Sequence, residues 1–416
     1  MSRRTISRWL FLVMSASVLL LATGAATGGA SRVSRGSVLW AAVAAPPAPP
    51  PPEAASPAAV AALQQAVAAW LPAFDRAAHW ISADTVTVQR SEASGGLAVA
   101  YLLVEQSHRL DLRSPQDSPV LQGFRDFLAT HGSGLNAAQR AVVEQRMAEW
   151  AARLQGYIDQ PFVGYLGMKA TGALAPDGGV VPGSVELYVD GGEGDYIPAA
   201  QLLGRIRSPA AVQAEVAEGL VSTMAQIGAT LAKPRAQQAA QGATAPSPQC
   251  VAGNGWCNWY RGGDAAVYAN QYTSNATTRV WCSANDSALQ DTYYWNHSYQ
   301  GFNCNDCANY ASQSMNHGSL PTDGTWMPYT RTWTYVPYLR TYMEETKGYW
   351  ASESYSQAAP GDALTLGSKL NEYHVEMVVY NDGTVLKTSA HTDDRLDLVW
   401  SGSADPYTFW WVSWWV

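Results

Sequence analysis

The sequence predicts an α+β fold in two parts: a smaller α+β domain over residues 61–235, and a second domain over 251–416. In the second, a helix bearing Cys307 packs on an antiparallel sheet. Three observations predict this. Apolar residues recur at helical spacing in some stretches and alternate in others, in both halves. Tracts rich in Ala, Pro and Gln, which cannot build a core, separate the parts at 31–60 and 236–250. Finally, a short helix with marked ends precedes a strand hairpin that carries histidines.

The elements follow in order. Arg3, Arg4 and Arg8 precede an uncharged apolar run from Leu10 to Ala26, with Gly28-Gly29-Ala30 as the favoured candidate cleavage site and Ala42-Val43-Ala44 as the second. This pattern reads as a signal peptide over 1–30 and places the protein outside the cell, secreted or at the wall. An uncleaved anchor is the runner-up, and no later stretch reads as long and apolar enough to cross a membrane. Ala61 to Phe74 is helical, and Thr85–Val88 and Leu97–Val104 form a hairpin across Gly95-Gly96. Asn136 caps a helix from Ala137 to Leu154. A strand at Ser184–Val189 and a helix at Val212–Leu231 complete the first domain. Nothing in it carries chemistry, and His79, His108 and His131 are isolated.

In the second domain a helix covers Asp264–Tyr272, and the Cys307 helix runs to Gly318. A short helix follows near Val336–Glu345. Strands are expected at Ala363–Leu366 and His374–Tyr380. A turn at Asn381-Asp382-Gly383 leads into a returning strand that ends at His391, and a last strand starts at Tyr407. The turn sets His374 and His391 opposite one another, with their rings side by side if they face the same way.

Composition excludes some functions. The formal net charge is −8, and removing the three signal arginines takes it to −11. Nucleic-acid binding needs clustered positive charge, which is absent. The 17 Trp and 21 Tyr fall mostly after residue 250, as core and sheet residues or as a stacking surface for sugars or peptides. All five cysteines lie between 250 and 307. In an exported protein an odd count leaves one thiol over. Proximity favours Cys250–Cys257 and Cys282–Cys304, which leaves Cys307 free, although Cys304–Cys307 is also an adjacent pair.

Cys307 stands in the first turn of its helix, where Asn305 or Asp306 can cap the free N–H groups and Gly318 can end the last turn. Free N–H groups and the helix dipole favour a thiolate there. A thiol nucleophile needs a base, and the base needs a group to orient it. His374 is the candidate base and His391 the candidate orienting residue, with Asp393 as its alternative. Gln313 and Asn309 are candidate helpers at the oxyanion, beside the Cys307 N–H. No cofactor is called for, and no His/Asp cluster has zinc spacing.

Residues 260 to about 395, a third of the chain, resemble the family called Putative amidase domain, a relative of the NlpC-type cell-wall hydrolases among papain-like cysteine peptidases. Its Asp-Cys-Thr-Asn-Phe-Val-Ser-Gln core matches Asp306-Cys307-Ala308-Asn309-Tyr310-Ala311-Ser312-Gln313 at five of eight positions. Its upstream tyrosine-rich helix resembles Tyr260 to Tyr272, its Ser-Trp-Thr resembles Thr332-Trp333-Thr334, and its Gly-Asp turn resembles Gly361-Asp362. The family's strand histidine falls on His374 and its later His-Thr/Ser-x-Asp/Asn on His391-Thr392-Asp393. The departures at 308, 310 and 311 alter packing and leave the dyad intact. The resemblance implies a papain-like catalytic domain over 251–416. Cys307 would be its nucleophile, His374 its base and then acid, and His391 or Asp393 the orienting residue. The substrate would be a cell-wall peptide, with peptidoglycan the expected partner. Two rival functions fit the same residues: transglutaminase-like transfer to an amine, and non-catalytic binding of wall or sugar by the Trp-rich surface.

Overall fold

The first helix is set by local chemistry: Ser56 accepts the Ala59 N–H at 3.1 Å, and Pro57 supplies a preset φ at the first turn. The computed structural model describes residues 53–192, 195–231, 249–250, 257–275, 295–302, 305–392, 394–403 and 405–414. The expected signal segment, the 31–60 tract up to residue 52 and the 236–250 linker up to residue 248 lie outside these, as do Cys282, Cys304 and Asp393.

Helix α1 (Pro57–Ala78) buries Leu63, Val67, Leu71 and Phe74 against a long hairpin of β1 (Trp80–Ser94) and β2 (Leu97–Leu110). By length and composition α1 could cross a membrane, contrary to the expectation that no stretch after the signal could; here one of its faces is core. Helix α2 (Pro119–His131) and β3 (Phe162–Ala173) were not foreseen. Between them, α3 (Ala137–Asp159) starts on a capping box in which Asn136 and Gln139 satisfy each other's backbone N–H. Strands β4 (Glu186–Gly192) and β5 (Asp195–Pro198), then helices α4 (Ala199–Arg205) and α5 (Pro209–Leu231), complete the first segment.

The second segment opens with the two-residue strands β6 (Gln249–Cys250) and β7 (Cys257–Asn258), in which Cys250 and Cys257 are register partners. Helices α6 (Gly262–Gln271), α7 (Cys307–His317), α8 (Arg331–Thr334) and α9 (Val336–Thr341) follow, the last running into a π-helical turn. Then come β8 (Trp350–Glu353), β9 (Ala363–Leu366), β10 (His374–Asn381), β11 (Leu386–Ala390), β12 (Arg395–Val399) and β13 (Tyr407–Val412).

One mostly antiparallel sheet runs through both segments in the order β1-β2-β3-β12-β11-β10-β9-β13-β8, with β4 and β5 branching from β3. The join is a parallel bridge between Tyr165 and Leu398. The two expected domains therefore share a sheet, and one hydrophobic core mixes Phe74, Val104, Trp150 and Val216 with Tyr380, Val385 and Trp411. A buried ion cluster reinforces the join. Arg146 of α3 pairs with Asp362 and, at 3.4 Å, with Glu353, and it lies 4.4 Å from the Trp411 ring centroid. Asp362 in turn accepts the N–H groups of Ala359 and Val412, which fixes the Gly361-Asp362 turn at the start of β9.

Candidate active site

Helix α7 exposes little of itself. Cys307, Ala308, Tyr310, Ala311 and Met315 are buried in a cluster with Val375, Met377 and Val379 of β10. Its C-terminal end differs from expectation. Gly318 is not left-handed (φ −69°); a Cβ there would come within 2.7 Å of the Tyr260 ring and 2.9 Å of the Ala265 Cβ. Close approach of α6, and not backbone conformation, requires this glycine.

The N-terminal end differs too. Asp306 makes no capping bond to its own helix. The cap is supplied from the far side of the fold: Thr392 Oγ1 accepts the N–H of Asp306 at 2.9 Å and that of Cys307 at 3.2 Å. Thr392 holds this place at φ +84°, a region β-branched residues seldom occupy. Asp306 is committed elsewhere. Its Oδ1 accepts the Phe302 N–H at 2.8 Å and Asn309 Nδ2 at 2.9 Å, while Oδ2 meets His391 Nδ1 at 2.7 Å.

His391 is buried, stacked on Tyr310 with ring centroids 4.2 Å apart, and its Nε2 meets the Tyr272 carbonyl. A carboxylate and a carbonyl both call for a donor, and only the protonated ring offers one at each nitrogen, so these partners favour the imidazolium. Burial opposes that charge, but the Asp306 hydrogen bond and the Asp394 and Asp306 charges outweigh it, so the His391 pKa is raised.

His374 is placed differently. It opens β10, buried, with Nε2 3.6 Å from Glu376 Oε1. Strands β10 and β11 pair Tyr380 with Lys387 but Met377 with Ser389, because a bulge falls between Val378 and Tyr380. Continuing that register sets His391 across from Val375, not His374. Since successive side chains alternate, His374 shares its face with its neighbours Leu366 and Leu364, whereas Val375 and His391 face α7. The structure brings His391 to the Cys307 dipeptide and leaves His374 on the sheet beside Glu376.

The other candidates are occupied. The Asn309 amide donates to Gln300 O and Asp306 Oδ1, each at 2.9 Å, and accepts Trp333 Nε1 at 2.8 Å. Gln313 Oε1 accepts the Tyr268 hydroxyl at 2.8 Å. The Cys307 N–H already has Thr392. Among the described side chains, Cys307 is a free thiol. Sequence reasoning missed the Asp306–His391 pair and the Thr392 cap. The one available signal was that each belongs to a dipeptide of the motifs, Asp306-Cys307 and His391-Thr392.

Residues 259–412 match the family described as Putative amidase domain, whose name points to amide hydrolysis. No curated protein and no solved structure matches the chain.

Proposed function

We propose that the segment matching the amidase family hydrolyses amide bonds through the Cys307 thiol, in a papain-like arrangement, and that its substrate is a cell-wall peptide outside the cell. The observation that carries the reading is the position of Cys307: first residue of a buried helix, next in chain to a carboxylate that binds the His391 ring. In this reading Sγ attacks the substrate carbonyl and a thioester forms. The amine leaves with a proton, and water then releases the acid.

His391 has no ring nitrogen left to accept a proton, so we assign it the charge-holding role beside the thiolate, with Asp306 fixing its orientation. The base role expected of His374 requires the start of β10 itself to rearrange, because its side chain lies on the sheet face away from α7. The backbone N–H groups of Asp306 and Cys307 would serve the oxyanion once Thr392 Oγ1 yields them, since a developing negative oxygen is the better acceptor. Export rests on the basic and apolar pattern of residues 1–30.

The test is digestion of purified peptidoglycan by the wild type and by Cys307→Ala in parallel, in the presence of a labelled amine and read by mass spectrometry. New free stem-peptide ends should appear with the wild type alone and without amine adducts. The variant should lose on the order of 10⁴–10⁶ in rate. Equal products from both would sink the thiol mechanism, and amine adducts would replace hydrolysis by transfer.

A further inference from the structure

Where the two segments join, the core contains a pair of ionisable groups that the proposed chemistry does not use. Lys387 of β11 is fully buried, and Asp397 of β12 is 2% exposed. Among the described residues, neither Lys387 Nζ nor Asp397 Oδ1 has a hydrogen-bond partner. An orphaned amine and an orphaned carboxyl oxygen in one core call for an explanation.

Their geometry supplies one. Strands β11 and β12 pair Lys387 with Val399 and Thr388 with Leu398, so Asp397 is a diagonal neighbour of Lys387. Asp397 takes a left-handed φ of +52°, which an aspartate tolerates, and its N–H is anchored on Ser389 Oγ at 2.8 Å. Both side chains reach over Gly164 of β3. A Cβ on that residue would collide with Lys387 Nζ and lie 3.1 Å from Asp397 Oδ2. The missing side chain leaves one gap that both groups face. The surroundings are aromatic: the Trp80, Phe162 and Tyr380 ring centroids lie 5.0, 5.7 and 5.6 Å from Nζ.

We propose that Lys387 and Asp397 form an intramolecular isopeptide bond, a modification that cross-links β11 to β12 at the seam between the segments. The Nζ lone pair attacks Cγ of the protonated carboxyl group. A C–N bond forms and the C–OH bond breaks. The hydroxyl departs with one amine proton as water, and no oxidant or cofactor takes part.

The reaction needs a neutral amine and a protonated acid, and the site favours both. Burial lowers the Lys387 pKa to about 8, against the pull of Asp397 and Asp382, and raises that of Asp397 to about 7. Exclusion of water from the aromatic shell disfavours the reverse hydrolysis. The bond would also replace two buried ionisable groups by one neutral amide. This inference is independent of the chemistry at Cys307.

The test is the mass of the full-length protein as purified, reduced and denatured. The chain should be one water lighter than its sequence after the amino terminus is assigned. Trypsin should fail to cut after Lys387 and should release residues 370–395 still joined to 396–416, although it cuts after Arg395. Lys387→Met should restore the full mass and separate those peptides. A wild-type chain at full sequence mass, cut normally after Lys387, overturns the proposal whatever the variant does.

Discussion

Asp306→Asn removes the negative charge that faces His391 while keeping an oxygen for the Phe302 N–H. Breaking a buried ion pair from one side costs about 3–5 kcal/mol, and the lower end applies here because the imidazole can shed its proton. With a urea m-value of about 3 kcal/mol/M, a loss of about 3 kcal/mol moves the unfolding midpoint down by about 1 M. The pH dependence carries the sharper test. The folded-state pKa of His391 is raised above its unfolded value. The pair's contribution is therefore fully present below about pH 6.5 and fades as pH rises through the folded value. Other buried groups, His108 among them, also titrate differently on folding, so the quantity to plot is wild type minus variant. That difference should be largest near pH 6 and shrink towards alkaline pH. A difference that stays constant over this range, or grows with pH, would refute the assignment of a charged His391 held by Asp306.

The two histidines separate by activity. His374→Ala should abolish amide hydrolysis and His391→Ala should lower it, and because both rings are buried either change should also cost stability; an active His374→Ala protein removes that residue from the mechanism. Thr392→Ala deletes the acceptor for two helix N–H groups and should cost about 1–2 kcal/mol by urea unfolding, while Thr392→Ser retains most of it. Arg146→Ala leaves Asp362 and Glu353 facing each other without a cation and should destabilise by about 3–5 kcal/mol. Replacing Asp362 and Glu353 by their amides in the same chain should recover part of that loss.

What was legible in the sequence was whatever is written locally. Asn136 with Gln139 and the Gly95-Gly96 turn both depend on residues within a few positions of one another. The long hairpin was underestimated because Ser82, Asp84, Gln106 and His108 interrupt the apolar alternation, although Gln106 and His108 are buried. Strand β12 was missed for the same reason: Arg395 and Asp397 read as loop residues but lie in the core. The site suffered from a non-local effect. The bulge between Val378 and Tyr380 has no glycine to announce it, and one extra residue there turns His391 to the face opposite His374. Nor can a cap be seen when its hydroxyl, on Thr392, comes from more than eighty positions away.

The seam at Tyr165 and Leu398 has a consequence for anyone dissecting this chain. A fragment starting at residue 249 would retain every residue assigned to chemistry yet lose the strand beside β12, the helix carrying Arg146 and the apolar cover over Tyr380 and Trp411. Such a piece should be insoluble when made alone. Supplied together as separate polypeptides, 53–231 and 249–416 should find each other and copurify, behaving as the two halves of a split protein.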